Sequence, residues 1–255
     1  MFKTQSLPPQ TQAVFRLLAT HDLTNGFLLI GGTALALHIG HRLNNDLGFI
    51  FCERYGKLPT TRIDALIRSL RDQGFNADLV IDSAQESSFR INTGERLSDY
   101  ARDYNIGGVK VTFFAASHHQ QPKRFAFWQS CPRYLQTDCN FAVLALDALK
   151  TAKTLVLQDR VRSRDLFDLM VLMRDHGYTI EAFFDTIERL ADGAQDGEIE
   201  RLILRGLIPL DKRDEGLDAV GVKVLMTDIY AFFDARLTDH EAKTHAAHLR
   251  DARKP

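Results

Sequence analysis

Along the first half of the chain, short apolar runs alternate with segments whose apolar residues recur every three or four positions. The two periods predict strands and helices in turn. Val14, Leu17 and Leu18 fall at helical spacing in "TQAVFRLLATHD", which predicts a first helix closed before the "NG" at 25–26. "FLLI" at 27–30 reads as a short buried strand and "GGTALALHIG" as a turn and helix, with Ala34, Ala36 and Gly40 small enough for close packing on a sheet. "DLGFIFC" at 46–52 reads as a second strand. In "TTRIDALIRSLRDQGF", Ile63, Leu66, Ile67 and Leu70 make one apolar stripe, Thr61 stands where a cap belongs with Asp64 three residues on, and Gly74 ends the helix. Strand-like runs follow at "ADLVIDS", "SSFRINT" and "GGVKVTFFA".

The polar stretch "SHHQQPKRF" marks a boundary, and beyond it the pattern is helical. "FAVLALDALKTAKTLVL" reads as one long helix and "SRDLFDLMVLMRDHG" as a second, capped by Ser163, with further helices through "AVGVKVLMTDIYAFFDARL" to the tail. The expected organisation is an α/β (α+β) domain over residues 1–130, a mixed sheet flanked by helices, followed by a helical domain over residues 131–255. There is no internal repeat.

Composition narrows the picture without pointing to a partner. Of 255 residues, 45% are hydrophobic and 25% charged, which is ordinary for a globular protein and excludes the disordered and collagen-like classes. With 32 Lys+Arg against 33 Asp+Glu, no global field draws the chain to a polyanion, so any such site is local. The three cysteines, Cys52, Cys131 and Cys139, match no zinc spacing and read as reduced packing residues of a cytoplasmic protein. "MFKTQSLPPQ" lacks the apolar stretch of a secretion signal, and the longest apolar run, "FLLIGGTALALHIG", is shorter than a bilayer span, so no membrane segment is expected.

Candidate chemistry gathers in two places. Gly31 and Gly32 open a helix, where successive backbone N–H groups can turn toward an anion, although a strand, two glycines and a helix also occur for close packing alone. Asp46 follows Gly32 by 14 positions. Residues 46 and 48 of a strand point the same way and would clamp a metal between two carboxylates, but position 48 is glycine. Farther on, Lys150 and Lys153 share a helix face, and "RVRSRDLFDL" packs Arg160, Arg162, Arg164, Asp165 and Asp168 around a helix start. Arg164 and Asp168 stand at i,i+4, where a structural pair serves as well as a catalytic wall. His118 and His119, and His240, His245 and His248 in the tail, lack ligand spacing and read as solvated.

Taken together, "GGTALALHIGHRLNNDLGFIF" and "KTLVLQDRVRSRDLFDLMVL" resemble the AbiEii/AbiGii toxin family of the nucleotidyltransferase superfamily, which has the fold of the minimal nucleotidyltransferases and DNA polymerase beta. The shared features are a Gly-Gly-Ser/Thr turn, Gly-His-Arg at 40–42, an Asp-x-Asp strand, then Lys and Arg-Asp-x-x-Asp on later helices. Members of this family act in abortive infection or as type IV toxin–antitoxin toxins, and some move a nucleotide from a triphosphate onto an acceptor such as tRNA. The resemblance implies a nucleoside triphosphate cradled by Gly31, Gly32 and Thr33 with Arg42 nearby, and Asp46 as the first magnesium ligand. It implies phosphate contact by Lys153, with Arg164, Asp165 and Asp168 completing the wall. RNA, tRNA included, and a cognate antitoxin are the partners it implies.

Three positions depart from the family pattern: Gly48 stands for the second carboxylate, Thr112 for a third on a later strand, and Asn44 for a common serine. Two-ion transfer needs carboxylates to hold its cations, so the expectation is a weak or absent magnesium site and weakened transfer unless Asp82 or Glu53 supplies a ligand. The alternative is an inactive pseudoenzyme that binds nucleotide, nucleic acid or a partner protein.

Overall fold

The computed structural model describes residues 2–52, 56–116, 121–135, 138–190 and 197–251. The chain divides into two compact units, Met1–Leu149 and Lys150–Pro255. Among the described residues no helix is long and apolar enough to cross a membrane.

The first unit runs α1 (Pro9–Ala19), β1 (Phe27–Ile30), α2 (Gly31–Ile39), β2 (Leu47–Phe51), α3 (Thr60–Asp72), β3 (Ala77–Val80), α4 (Ser83–Thr93), β4 (Ala101–Ile106), β5 (Val109–Ala115), α5 (Pro122–Ser130), β6 (Arg133–Tyr134) and β7 (Ala142–Leu144). Its strands form a mixed sheet in the order β3-β4-β5-β2-β1-β7-β6. The β1–β2 pair is antiparallel, whereas β2 runs parallel to β5 and β1 parallel to β7. This is the mixed α/β architecture the sequence predicts. Both β6 and β7 belong to the sheet, so the first unit continues past residue 130.

Alternation sets the two faces of the sheet. Leu47, Phe49 and Phe51 of β2 and Val111 and Phe113 of β5 are buried, while Gly48 and Thr112 between them stay partly exposed. On the buried side, Phe49 stacks on Phe113 with ring centres 5.5 Å apart, and Phe27 meets Phe113 at 5.1 Å. Burying rings of this size stabilises by about 2–3 kcal/mol each. The stripe of α3, Ile63, Leu66, Ile67 and Leu70, is fully buried, as its spacing requires.

Five local expectations are corrected. "SSFRINT" lies in helix α4 rather than a strand: Asp82 caps it by accepting the Gln85 N–H at 3.1 Å, and none of its residues is buried. "FAVLALDALKTAKTLVL" is broken into β7 and α6 (Leu146–Val156), because Ala142 and Val143 pair with Leu28 and Leu29. Thr61 does not cap α3, which starts at Thr60 with Pro59 in the capping position.

The fourth correction falls in the second unit, which contains α7 (Ser163–Asp175), α8 (Ile180–Leu190), α9 (Glu198–Leu204) and α10 (Met226–Asp251). Arg162 holds the capping position of α7, and Ser163 is the first helical residue. The cap function comes from Asp214 of a later loop, whose Oδ1 accepts from the Ser163 N–H at 3.1 Å and from its hydroxyl at 3.0 Å. Helix α7 is the centre of this unit, buried continuously from Asp165 to Met173, and α10 packs against α7, α8 and α9. The fifth concerns His240 of α10, which stacks on Phe184 with ring centres 5.3 Å apart rather than standing solvated.

Candidate functional site

In the first unit the glycine elbow sits at the end of β1, where the chain turns directly into α2. Gly31 has φ +72°, a conformation that side chains with a Cβ rarely adopt, and the space where its Cβ would stand is empty for 4 Å. Gly32 is glycine for a different reason. A Cβ there would stand 2.5 Å from Nη2 of Arg42 and 2.6 Å from Oδ1 of Asn44. One glycine of the pair allows the turn and leaves it open, and the other makes room for its neighbours.

Those neighbours form a buried polar bracket. Arg42 donates from Nη1 to Asn44 Oδ1 at 3.0 Å and to the Leu43 carbonyl at 3.1 Å. Asn44 in turn donates from Nδ2 to Thr33 Oγ1 at 2.5 Å and to the Asp46 carbonyl at 2.7 Å. The Thr33 hydroxyl also donates to the Asp46 carbonyl. Thr33, Arg42 and Asn44 are all buried, and together they fix the main chain of Asp46 against the start of α2. Asp46 itself is half-buried and lies one residue before β2, which starts at Leu47. Asn44, a departure from the family pattern, is thus the hub of the bracket.

Register explains what happens beyond Asp46. Gly48 pairs with Ile30 on one side and Thr112 on the other, and Thr112 pairs with Asp103 of β4. The Thr112 hydroxyl donates to Asp103 Oδ1 at 2.7 Å, and Lys110 Nζ lies 2.7 Å from Asp103 Oδ2. Asp103 therefore brings a carboxylate to this face that sequence reasoning missed, and both of its oxygens are engaged. No local motif marks it; only strand pairing puts it opposite Thr112.

These donors do not fit a two-ion site. Among residues 46, 48 and 112, Asp46 alone carries a carboxylate, and among the described residues no group of three His, Cys, Asp or Glu side chains is arranged to hold a metal. Of the substitute ligands, Asp82 serves as the cap of α4. Glu53 lies outside the described residues, as do His118 and His119.

In the second unit, Lys153 is buried and lies 2.8 Å from Asp165 Oδ1 and 2.5 Å from Asp168 Oδ2. Arg160 adds a second cation to Asp165, with Nε 2.8 Å from Oδ2. Burial alone would raise the Asp165 carboxyl, but Lys153 and Arg160 outweigh it and hold Asp165 at about 2. Residues separated by about a dozen positions thus close into one compensated ionic cluster that ties the end of α6 to the first turns of α7. Arg164 lies 3.4 Å from Glu215, and Arg162 lies 3.8 Å from Asp211. Lys150 is half-buried on the same helix as Lys153.

The first unit thus holds an elbow opening a helix and an Asp just before the middle strand of a mixed sheet, and the second unit holds a Lys–Asp–Asp cluster. The family model described as "Nucleotidyl transferase AbiEii toxin, Type IV TA system" matches residues 12–251, and the chain belongs to that family. Among solved structures the chain is similar to MenT4, a nucleotidyltransferase toxin from Mycobacterium tuberculosis H37Rv, with 14% identity and a TM-score of 0.45, covering 90% of this chain and 84% of that one. No match was found among curated protein sequences.

Proposed function

We propose that this chain is a cytoplasmic nucleoside-triphosphate-binding protein of its toxin family, in which transfer of a nucleotide to an RNA acceptor such as tRNA is strongly weakened. The observation that carries this reading is the pairing of Gly48 with Thr112, two positions that face each other across β2 and β5 without a carboxylate.

The residues present divide the work as follows. The N–H groups at Gly31 and Gly32, with the positive end of α2 behind them, receive phosphate oxygens. Thr33, Arg42 and Asn44 act from beneath, holding the Asp46 main chain so that its side chain is presented beside the elbow. When bound, a divalent ion would supply charge neutralisation for the phosphates, with Asp46 as its protein ligand. In the helical unit we assign phosphate contact to Lys153 and Arg164, with Asp165 and Asp168 holding the Lys153 ammonium. A type IV toxin has an antitoxin as its counterpart, and we extend that expectation to this chain.

A second reading is favoured by one further observation. Asp103, the carboxylate that strand pairing brings nearest to Thr112, is engaged by Thr112 and Lys110, which suits a pure binding module. One measurement tests both readings and a second separates them. Calorimetry with each nucleoside triphosphate is expected to show binding that barely responds to magnesium. Incubation with labelled triphosphate and tRNA is expected to give slow labelling under the first reading and none under the second. Failure to bind any triphosphate would remove both.

A further inference from the structure

We infer that the free edge of β3, with the arginine-lined cavity beside it, is a docking site for an extended acidic peptide segment of a partner protein. The inference goes beyond nucleotide binding and draws on none of the elbow residues.

Strand β3 ends the sheet order and, among the described residues, pairs with β4 alone. Phase follows from one bond. Gly107 N–H donates to the Asn76 carbonyl at 2.8 Å, which makes residues 76, 78 and 80 the ones turned toward β4 and residues 77 and 79 the ones turned outward. The Ala77 carbonyl confirms the phase, since it accepts Nε of Arg71 at 2.9 Å from the outer side. Leu79 is the next outward position, and its main-chain groups line a strand edge able to take another strand. Natural edges are usually guarded by charge or proline. Here the guard is Arg71 at Ala77 with the exposed Asp78 beside it, and then Leu79, Val80 and Ile81 are 45%, 52% and 64% exposed.

The same edge carries a chemical preference. A cavity of about 350 Å³ is lined by Asp64, Arg68, Arg71, Leu79, Arg102 and Tyr104. Leu79 and Tyr104 are register partners, so the cavity lies on the face where alternate side chains of an added strand would project. Three arginines face one aspartate. Asp64 is engaged by Arg102 at 2.7 Å, and Arg71 is committed to the Ala77 carbonyl with Asp78 Oδ1 4.0 Å from its Nη2. Arg68 gives only its Nε to the Asp64 carbonyl, at 3.4 Å, and among the described residues no carboxylate pairs with its guanidinium. A carboxylate at every second position of an added strand would meet Arg68 and Arg102, while the intervening apolar side chains would cover Val80. An RNA backbone would gain the arginines but leave the apolar row uncovered, which favours the peptide.

The test uses the full chain and a fluorescein-labelled heptapeptide, Thr-Val-Glu-Val-Glu-Val-Thr, read by fluorescence polarisation at moderate salt. The expected result is saturable binding, weakened about tenfold or more by Arg68→Glu and by replacing both peptide glutamates with lysine. N-methylation of alternate peptide amides is expected to abolish it, and the peptide is expected to slow hydrogen exchange at the Leu79 amide. Any of four results would overturn the inference: no binding of the acidic peptide, equal binding of the lysine peptide, indifference to Arg68→Glu, or competition by a uridine oligonucleotide acting through Arg68. None of these readouts uses triphosphate, so failure here and failure of the nucleotide reading are separately visible.

Discussion

Gly48 and Thr112 are cross-strand partners on parallel strands, with the Thr112 hydroxyl turned to Asp103 on the strand beyond. A side chain at 48 has room: a Cβ built there meets nothing within 4 Å, and the glycine is not in the left-handed region. Gly48→Asp is therefore expected to leave stability within about 1 kcal/mol of the parent, since glycine in a strand has no packing to lose. It is also expected to make triphosphate affinity magnesium-dependent, by about tenfold, because two carboxylates two residues apart project to one side. Calorimetry with and without magnesium reads this directly, and an affinity that still ignores the ion would show that positions 46 and 48 do not share a ligand field.

The elbow glycines should fail for different reasons. Gly32→Ala drives a methyl into Arg42 and Asn44, and overpacking of this kind costs about 1–3 kcal/mol. Gly31→Ala meets no atoms but is forced into a left-handed backbone, at about 1–2 kcal/mol. Urea unfolding gives both costs. Adding Arg42→Ala should relieve part of the first and none of the second.

Lys153→Met would leave Asp165 and Asp168 buried with one cation fewer, and breaking such a pair costs about 3–5 kcal/mol. The loss should appear as a lowered thermal midpoint in the absence of any ligand. Replacing all three residues by apolar ones of similar volume should recover much of it.

Acid should act through the same cluster. Asp165 stands at about 2 when folded against 3.8 when free, so its contribution is fully present above about 4 and disappears as pH falls through 2. At about 1.4 kcal/mol per unit this is on the order of 2 kcal/mol. Stability measured from pH 5 down to pH 2 should fall by that amount more in the parent than in Asp165→Asn; parallel curves would count against it.

Asp214→Ala removes the acceptor for both the Ser163 N–H and its hydroxyl, and loss of a cap costs about 1 kcal/mol. Denaturant unfolding followed by circular dichroism should register it, with Ser163→Ala giving a smaller effect because the main-chain bond survives.

Legibility in the sequence tracked burial. The α3 stripe was readable because all four of its apolar residues are driven inward, whereas α4 has no buried face, so its Phe89 and Ile91 mimic strand alternation. The β7–α6 junction was hidden because Ala142–Leu144 and the helix after it are both apolar, and period alone does not divide them. Among the candidate residues, the glycine elbow, Asp46 and the Lys153 cluster were legible as residue types at fixed spacing. Asn44 and Asp103 were not: the first acts through a buried amide with no motif, and the second reaches Thr112 only by strand register.

The dependence of Ser163 on Asp214 also has a temporal side. The two are 51 positions apart, so a chain still emerging from the ribosome carries the start of α7 for some fifty residues before the acid that secures it exists. Deletions or tags that delay or displace that loop should therefore lower the yield of correctly folded protein well before they touch any residue of the helix itself.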